Sequence, residues 1–135
     1  MATVLVDSNV LLDILIPDPE WEQWSATTLA QVAETSLLAI NPVIYAEISI
    51  GFNRIEDLEA ALPREVRREP LPWDAAFLAG KAFLAYKRKS GAKSSTLPDF
   101  FIGAHAAVKK HTLLTRDARR YLTYFPTLTL VCPGQ

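Results

Sequence analysis

Cysteine is almost absent: Cys132 stands alone among 135 residues, which excludes an intrachain disulfide and any metal cluster built on cysteines. A lone thiol fits a reducing compartment. Long apolar runs are missing as well. No stretch approaches the ~20 residues that a membrane span requires, and the N-terminus has no basic region of the kind that opens a signal peptide. A cytoplasmic protein without membrane contact is therefore expected. Positive charge is also missing from residues 1 to 53, which hold no Lys or Arg but seven acids: Asp7, Asp13, Asp18, Glu20, Glu22, Glu34 and Glu47.

What is present is ordinary for a globular chain. Half of the residues are hydrophobic and 21% are charged, far from the composition of disorder. A chain of 135 residues suffices for a single domain that buries its own core without disulfide or zinc staples. The net charge of −1 conceals an asymmetry, because between Ala75 and Pro98 the chain carries Lys81, Lys87, Arg88, Lys89 and Lys93 and no acid. Two solvated helix faces would account for both segments. An acidic pocket flanked by an anion-binding surface would account for them equally, and an enzyme acting on nucleic acid needs that arrangement.

Residues 2 to 6 read as a short buried strand, followed by a helix from Ser8 to about Ile16 that ends at Pro17. Asp18 as N-cap and Pro19 at the first helical position predict a second helix to about Glu34. Residues 37 to 40 form a second buried strand. Pro42 starts a third helix, to Gly51 or just beyond, and Arg54 to Leu62 is a fourth. A weak strand signal lies between Val66 and Leu71. A long helix is predicted over Asp74 to Lys89, a loop over Ser90 to Thr96, and a helix over Asp99 to Lys109 that is apolar nearly all round and hence central. Thr112 to Leu114 is a strand, Asp117 to Leu122 a helical turn or two, and Thr127 to Val131 the last strand. Alternating strands and helices imply parallel pairing by right-handed crossovers: a single α/β domain with an open parallel sheet of four to five strands and helices on both faces. Ligands of such sheets lie outside the carboxyl ends of the strands, where Asp7 and Asp117 both fall.

Each acid has a local explanation. Asp7, Asp99 and Asp117 precede or start helices, where a carboxylate caps free N–H groups and meets the positive end of the dipole. Glu47 resists that account. In "NPVIYAEISIG" its neighbours at three and four residues are Val43, Ile44, Ile50 and Gly51, so the carboxylate lies on an apolar stripe facing the protein. A charge there is costly unless paired or bound to metal. Pairing with a distant arginine, Arg116 being the obvious candidate, is the structural alternative. Converging carboxylates would raise one another's pKa values and destabilise the fold unless a cation resides among them. All-oxygen ligation suits Mg²⁺ or Mn²⁺, and zinc is disfavoured with only His105, His111 and Cys132 as softer ligands.

Four segments, "VLVDSNVLLDIL", "INPVIYAEI", "AYKRKSGAKSSTLPDFFIGAHA" and "LLTRDARRY", occur in an order and at a spacing that resemble PIN-domain ribonucleases, most closely the VapC toxins of toxin–antitoxin pairs. The resemblance covers nearly the whole chain. It implies a parallel sheet of four or five strands and an acidic quartet, Asp7, Glu47, Asp99 and Asp117, that holds Mg²⁺ or Mn²⁺ and activates water. Ser8, Asn9 and Thr115 match polar positions that support the acids or touch substrate. Endonucleolytic cleavage of RNA, commonly tRNA or ribosomal RNA, is implied, with inhibition by a small antitoxin protein and with homodimerisation. Arg116 matches a variable position and takes no catalytic role.

Arg88, Lys89 and Lys93 straddle a glycine-containing loop leading to Asp99, where they could grip substrate phosphates; surface solvation explains them almost as well. His105 is expected to be a packed core or dimer-contact residue. Trp21 and Trp24 are expected in the core or, if exposed, as a hydrophobic hold for an antitoxin helix. Two other functions compete. A phosphoryl-accepting switch domain would need an adjacent acid pair after the first strand and a lysine after a late one, whereas Ser8 follows Asp7 and Arg116 follows Thr115. A catalytically inactive PIN-like binding scaffold is disfavoured by the presence of all four acids.

Overall fold

A computed structural model describes residues 1–89 and 96–134; the predicted loop up to Ser95, and Lys93 with it, lies outside the described residues. Five strands, β1 (Thr3–Val6), β2 (Leu37–Ile40), β3 (Val66–Arg68), β4 (Thr112–Leu114) and β5 (Leu130–Val131), form one sheet in the order β3-β2-β1-β4-β5. Every pairing is parallel, with Leu5 opposite Ala39 on one side and opposite Leu113 on the other. β1 is central because Val4, Leu5 and Val6 offer apolar side chains to both faces and all three are buried.

The helices among the described residues are α1 (Ser8–Leu15), α2 (Glu22–Thr35), α3 (Pro42–Ser49), α4 (Ile55–Ala61), α5 (Trp73–Lys89), α6 (Leu97–Lys109) and α7 (Arg119–Leu122). The chain moves from β1 to β3 in one direction across the sheet and from β3 to β5 in the other. Right-handed crossovers therefore place α1–α4 on one face and α5–α7 on the opposite one. The reversal opens a crevice between the carboxyl ends of β1 and β4.

α6 is the central helix that its composition predicts. Phe100, Ile102, Gly103, Ala104, His105 and Ala106 are buried, and α5 turns Ala75, Ala79, Ala82 and Tyr86 inward at helical spacing. Phe100 joins Phe83, Tyr86, Tyr124 and Phe125 in an aromatic cluster with ring centroids 5.4 to 6.2 Å from Phe100. Gly103 lets the Phe125 and Tyr121 rings lie against the α6 backbone: a Cβ there would meet Phe125 ring carbons at 2.6 Å and Tyr121 Cδ1 at 3.1 Å.

Element ends differ from expectation in informative ways. Asp18 does cap, accepting from the N–H groups of Glu20 and Trp21 at 3.0 and 2.8 Å, but the capped segment is a turn and regular helix begins only at Glu22. α6 begins two residues before Asp99, because Thr96 and Asp99 form a capping box with Thr96 as the N-cap. α3 ends at Ser49, so Ile50 leaves the helical stripe and is 86% exposed. The last strand shrinks to two residues. Gly103→Ala is expected to lower stability by about 1–3 kcal/mol through overpacking against Phe125, measured as a reduced midpoint of thermal or urea unfolding.

Candidate metal centre

The end of β1 delivers Asp7 into the crevice. Asp7 N–H donates to the Leu114 carbonyl at 2.8 Å, which fixes the end of β1 against β4. Its side chain is 3% exposed and is ringed by donors: Ser8 N–H to Oδ1 at 2.7 Å, and Thr115 Oγ1 and Tyr121 OH to Oδ2 at 2.8 and 2.6 Å. Asn9 Nδ2 approaches Oδ2 at 3.4 Å. Two hydroxyl protons thus occupy Oδ2 while one amide occupies Oδ1, and the lone pair still open to a cation is on Oδ1.

The other acids join by single bridging groups. Ser8 Oγ lies 2.8 Å from Glu47 Oε1 and 3.4 Å from Asp7 Oδ1; its one proton goes to the nearer acceptor, Glu47. Thr115 Oγ1, which donates to Asp7, accepts from the Asp117 N–H at 3.1 Å and from Asn9 Nδ2 at 3.3 Å. Arg120 Nε lies 2.7 Å from Asp117 Oδ2, and Arg120 Nη1 lies 3.5 Å from Asp99 Oδ1. The path Glu47–Ser8–Asp7–Thr115–Asp117–Arg120–Asp99 runs through the backbone N–H of Asp117 between Thr115 and Arg120, and it draws on α3, the β1–α1 junction, the segment after β4, α7 and α6.

Burial, aided by the charge of Asp99, pushes the Asp7 carboxyl above the ordinary carboxylate range despite its three strong donors. Burial also raises Glu47, with Asp7 and Asp99 adding to the shift. These carboxylates feel one another's charge, and Arg120 offsets only part of it.

The surrounding fold is of one known kind. The sequence pattern of the PIN domain matches residues 4–125. The chain belongs to the PIN-domain family. Among solved structures, VapBC2 from Rickettsia felis bound to a DNA fragment from their promoter aligns with a TM-score of 0.73 at 18% identity, over 96% of this chain and 98% of that one. FitAcB from Neisseria gonorrhoeae aligns with a TM-score of 0.69 at 19% identity over 94% and 95% of the two chains. VapC20 from Mycobacterium tuberculosis, a Sarcin-Ricin loop cleaving toxin, aligns with a TM-score of 0.62 at 15% identity over 87% and 92%. These likenesses show the shared fold. No curated protein matches the chain by sequence.

Within this PIN fold several expectations need correction. Arg116 does not reach Glu47; its guanidinium clamps the buried Asp13 with Nε and Nη2 at 2.9 and 3.1 Å, and Ser25 Oγ donates to the same carboxylate at 2.7 Å. The reason lies in α1, whose Asp13 is 2% exposed and needs a partner more than the half-buried Glu47, already held by Ser8. Glu47 flanks the buried Ile44 and Ile48 without lying in a full apolar stripe. Trp21 and Trp24 are half-buried and meet edge to face, and Trp21 is further covered by the Arg116 guanidinium 5.5 Å from its ring. Neither is an exposed anchor. Arg88 and Lys89 are exposed in the last turn of α5.

Arg120 and Tyr121 escaped sequence reasoning, although both lie in "LLTRDARRY". The available signal was the spacing of Arg120, three residues after Asp117 and so one helical turn away. Tyr121 gave none, since a buried tyrosine beside an apolar helix reads as core.

Among the described residues, the side chains whose ligand atoms close to within 4.8 Å of one another are not the acids but Glu69, His105 and His111. Their wiring argues against metal. Asn41 Oδ1 is committed to the Ile44 N–H at 2.8 Å, so Asn41 Nδ2 faces His105 Nδ1 at 3.0 Å and donates to it. His105 must then carry its proton on Nε2, which points at Glu69 Oε1 3.1 Å away, as His111 Nε2 does at 2.9 Å. A neutral imidazole protonated on Nε2 has no lone pair there for a cation. The trio is a hydrogen-bonded clasp, and His105, fully buried, is the packed residue that the sequence leads one to expect.

Burial lowers the His105 pKa below the usual histidine range. Nitrogen-15 NMR of the imidazoles should find His105 as the neutral Nε2–H tautomer, with a titration midpoint below about 6.5. A midpoint above that value would show that the Glu69 carboxylate, which favours the charged ring, outweighs burial. Asp7 carries the opposite sign of dependence. Its folded pKa is raised, so the folded chain takes up this proton at a higher pH than the unfolded chain, and acidification favours the fold. In EDTA, the stability of the wild type relative to Asp7→Asn is therefore expected to rise as the pH falls from 7 toward 4, measured by paired urea titrations.

Proposed function

We propose that this PIN-domain protein is a Mg²⁺- or Mn²⁺-dependent endoribonuclease and the toxin of a toxin–antitoxin pair, with Asp7, Glu47, Asp99 and Asp117 as its catalytic and metal-holding residues. One observation carries the reading: four acidic residues from distant parts of the chain are linked at the switch-point crevice, Glu47 and Asp7 through Ser8, Asp117 through its backbone N–H to Thr115, and Asp99 through Arg120, which among the described residues is the guanidinium that touches them. The donor set is all carboxylate oxygen, which fits a hard divalent ion, and the open lone pair of Asp7 Oδ1 faces that role. A divalent ion held there would supply Lewis-acid charge for hydrolysis of a phosphodiester.

The chain's own residues divide the remaining work. Thr115 and Tyr121 lock the Asp7 carboxylate in one orientation, and Asn9 ties Thr115 to α1. Glu47, made more basic than an ordinary carboxylate by burial and by its acidic neighbours, can accept a proton from the attacking water while Ser8 holds it in place. Arg88 and Lys89 offer exposed charge to RNA phosphates. The VapBC complexes and the Sarcin-Ricin loop cleaving toxin among the structural neighbours support RNA as substrate and an antitoxin as partner. An apolar groove of about 460 Å³ beside Glu47, lined by Val43, Ala46, Ile50, Leu97 and Phe101, suits a hydrophobic antitoxin segment better than the covered Trp21 and Trp24. A homodimeric, cytoplasmic, single-domain protein completes the reading. No helix among the described residues is long and apolar enough to cross a membrane.

Purified protein freed of any partner should cleave RNA with Mg²⁺ or Mn²⁺ and stop when EDTA is added. Asp7→Asn or Asp99→Asn should each lose at least about 100-fold in rate. Undiminished cleavage by both variants would reject the site. Absence of saturable Mn²⁺ binding by a folded wild type would favour the inactive scaffold.

A further inference from the structure

Arg120 is the guanidinium that, among the described residues, touches two of the four acids. It follows Asp117 by three positions, and its Nε reaches back to Asp117 Oδ2 at 2.7 Å while Nη1 extends to Asp99 Oδ1 at 3.5 Å. Asp99 itself is buried, with 4% of its side chain exposed, whereas the Arg120 side chain is 45% exposed. The cation therefore lies at the mouth of the site with its charge directed inward. Its field also opposes the rise in the Glu47 pKa. Arg120 thus contacts two acids, at Asp117 Oδ2 and at Asp99 Oδ1, the Asp99 oxygen that the Thr96 N–H does not use, and acts on Glu47 through its field alone.

We propose that Arg120 is an internal counter-ion that a divalent cation must displace from Asp99 and Asp117, so that metal loading releases a guanidinium at the mouth, where a substrate phosphate arrives. The inference rests on the metal-dependent reading of this site and adds to it a competition between two cations for shared oxygens. A charge-assisted pair at this exposure is held weakly enough to exchange. The exchange is favourable in charge, because one dication compensates the converging carboxylates better than one guanidinium. Ligand spacing agrees: the acids do not close to within 4.8 Å as the Glu69 trio does, and the guanidinium stands between two of them. Drawing them onto a common ion requires Arg120 to swing outward. The freed group has the planar fork that suits phosphate oxygens.

The test measures binding, not turnover. Mn²⁺ titrations by calorimetry on wild type, Arg120→Gln and Arg120→Lys, paired with thermal melts in EDTA and in saturating Mn²⁺, read the competition directly. Arg120→Gln should bind Mn²⁺ roughly three- to tenfold more tightly than wild type, melt lower in EDTA, and recover most of that deficit in Mn²⁺. Arg120→Lys, which keeps the charge but cannot bridge both acids, should move at least part of the way toward tighter binding. Unchanged or weaker Mn²⁺ binding in Arg120→Gln would overturn the proposal, as would Arg120→Lys binding like wild type while Arg120→Gln binds more tightly, since the effect would then be charge at a distance. If neither wild type nor variants bind Mn²⁺, the metal-dependent reading falls and this inference with it. If wild type binds and the variants gain nothing, only the inference falls.

Discussion

The burial of one carboxylate governs this site. Asp7 follows three consecutive buried residues of the central strand, so it is placed where water cannot fully solvate it. A carboxylate there is tolerated because an amide and two hydroxyls are fixed around it. Those donors do not cancel the desolvation, and its pKa stays raised. Positive charge in the crevice would relieve that residual cost, and Ser8, Thr115 and Tyr121 reduce it although none of them is an acid.

The buried polar groups of this fold fall into two kinds. The Asp13 clasp with Arg116 and Ser25, and the Glu69 clasp with His105 and His111, each supply a carboxylate with donors of fixed geometry. The first ties α1 to the segment after β4, and the second ties the end of β3 to α6 and to the start of β4. Both pin elements that border the crevice. The acidic network is different in that, among the described residues, one guanidinium at the solvent edge touches two of its acids, Asp99 and Asp117. Two well-paired clusters thus contrast with a cluster of acids that has less positive charge against it.

Much of this was legible in the residues. β2 and β4 read directly from apolar runs, and the order of elements dictated a parallel sheet with a switch point. Asp7 and Asp117 were placed by their positions just past strand ends, and Thr115 by the family resemblance. Glu47 stood out as a charge on a helix with apolar neighbours, though its depth was overstated because the helix stops at Ser49 and Ile50 turns outward. What could not be read was pairing across the chain. Arg116 serves Asp13 and not Glu47 because Asp13 is the more deeply buried acid, a fact about packing depth that no local pattern encodes. The meeting of Glu69 with two histidines depends on a glutamate that follows the weakest strand signal in the sequence. Tyr121 reaches Asp7 only because Gly103 admits the rings of Tyr121 and Phe125 against α6.

The central position of β1 has a consequence for the time course of synthesis. The strand that bears Asp7 is made first, yet its neighbour β4 and the side chains that orient the carboxylate, Thr115 and Tyr121, lie more than a hundred positions later. Contacts of such long range close late, and a chain emerging from the ribosome in order cannot complete the acidic network until the segment through Tyr121 has been translated. A fragment that stops short of β4 and α7 lacks the two hydroxyls that orient the Asp7 carboxylate.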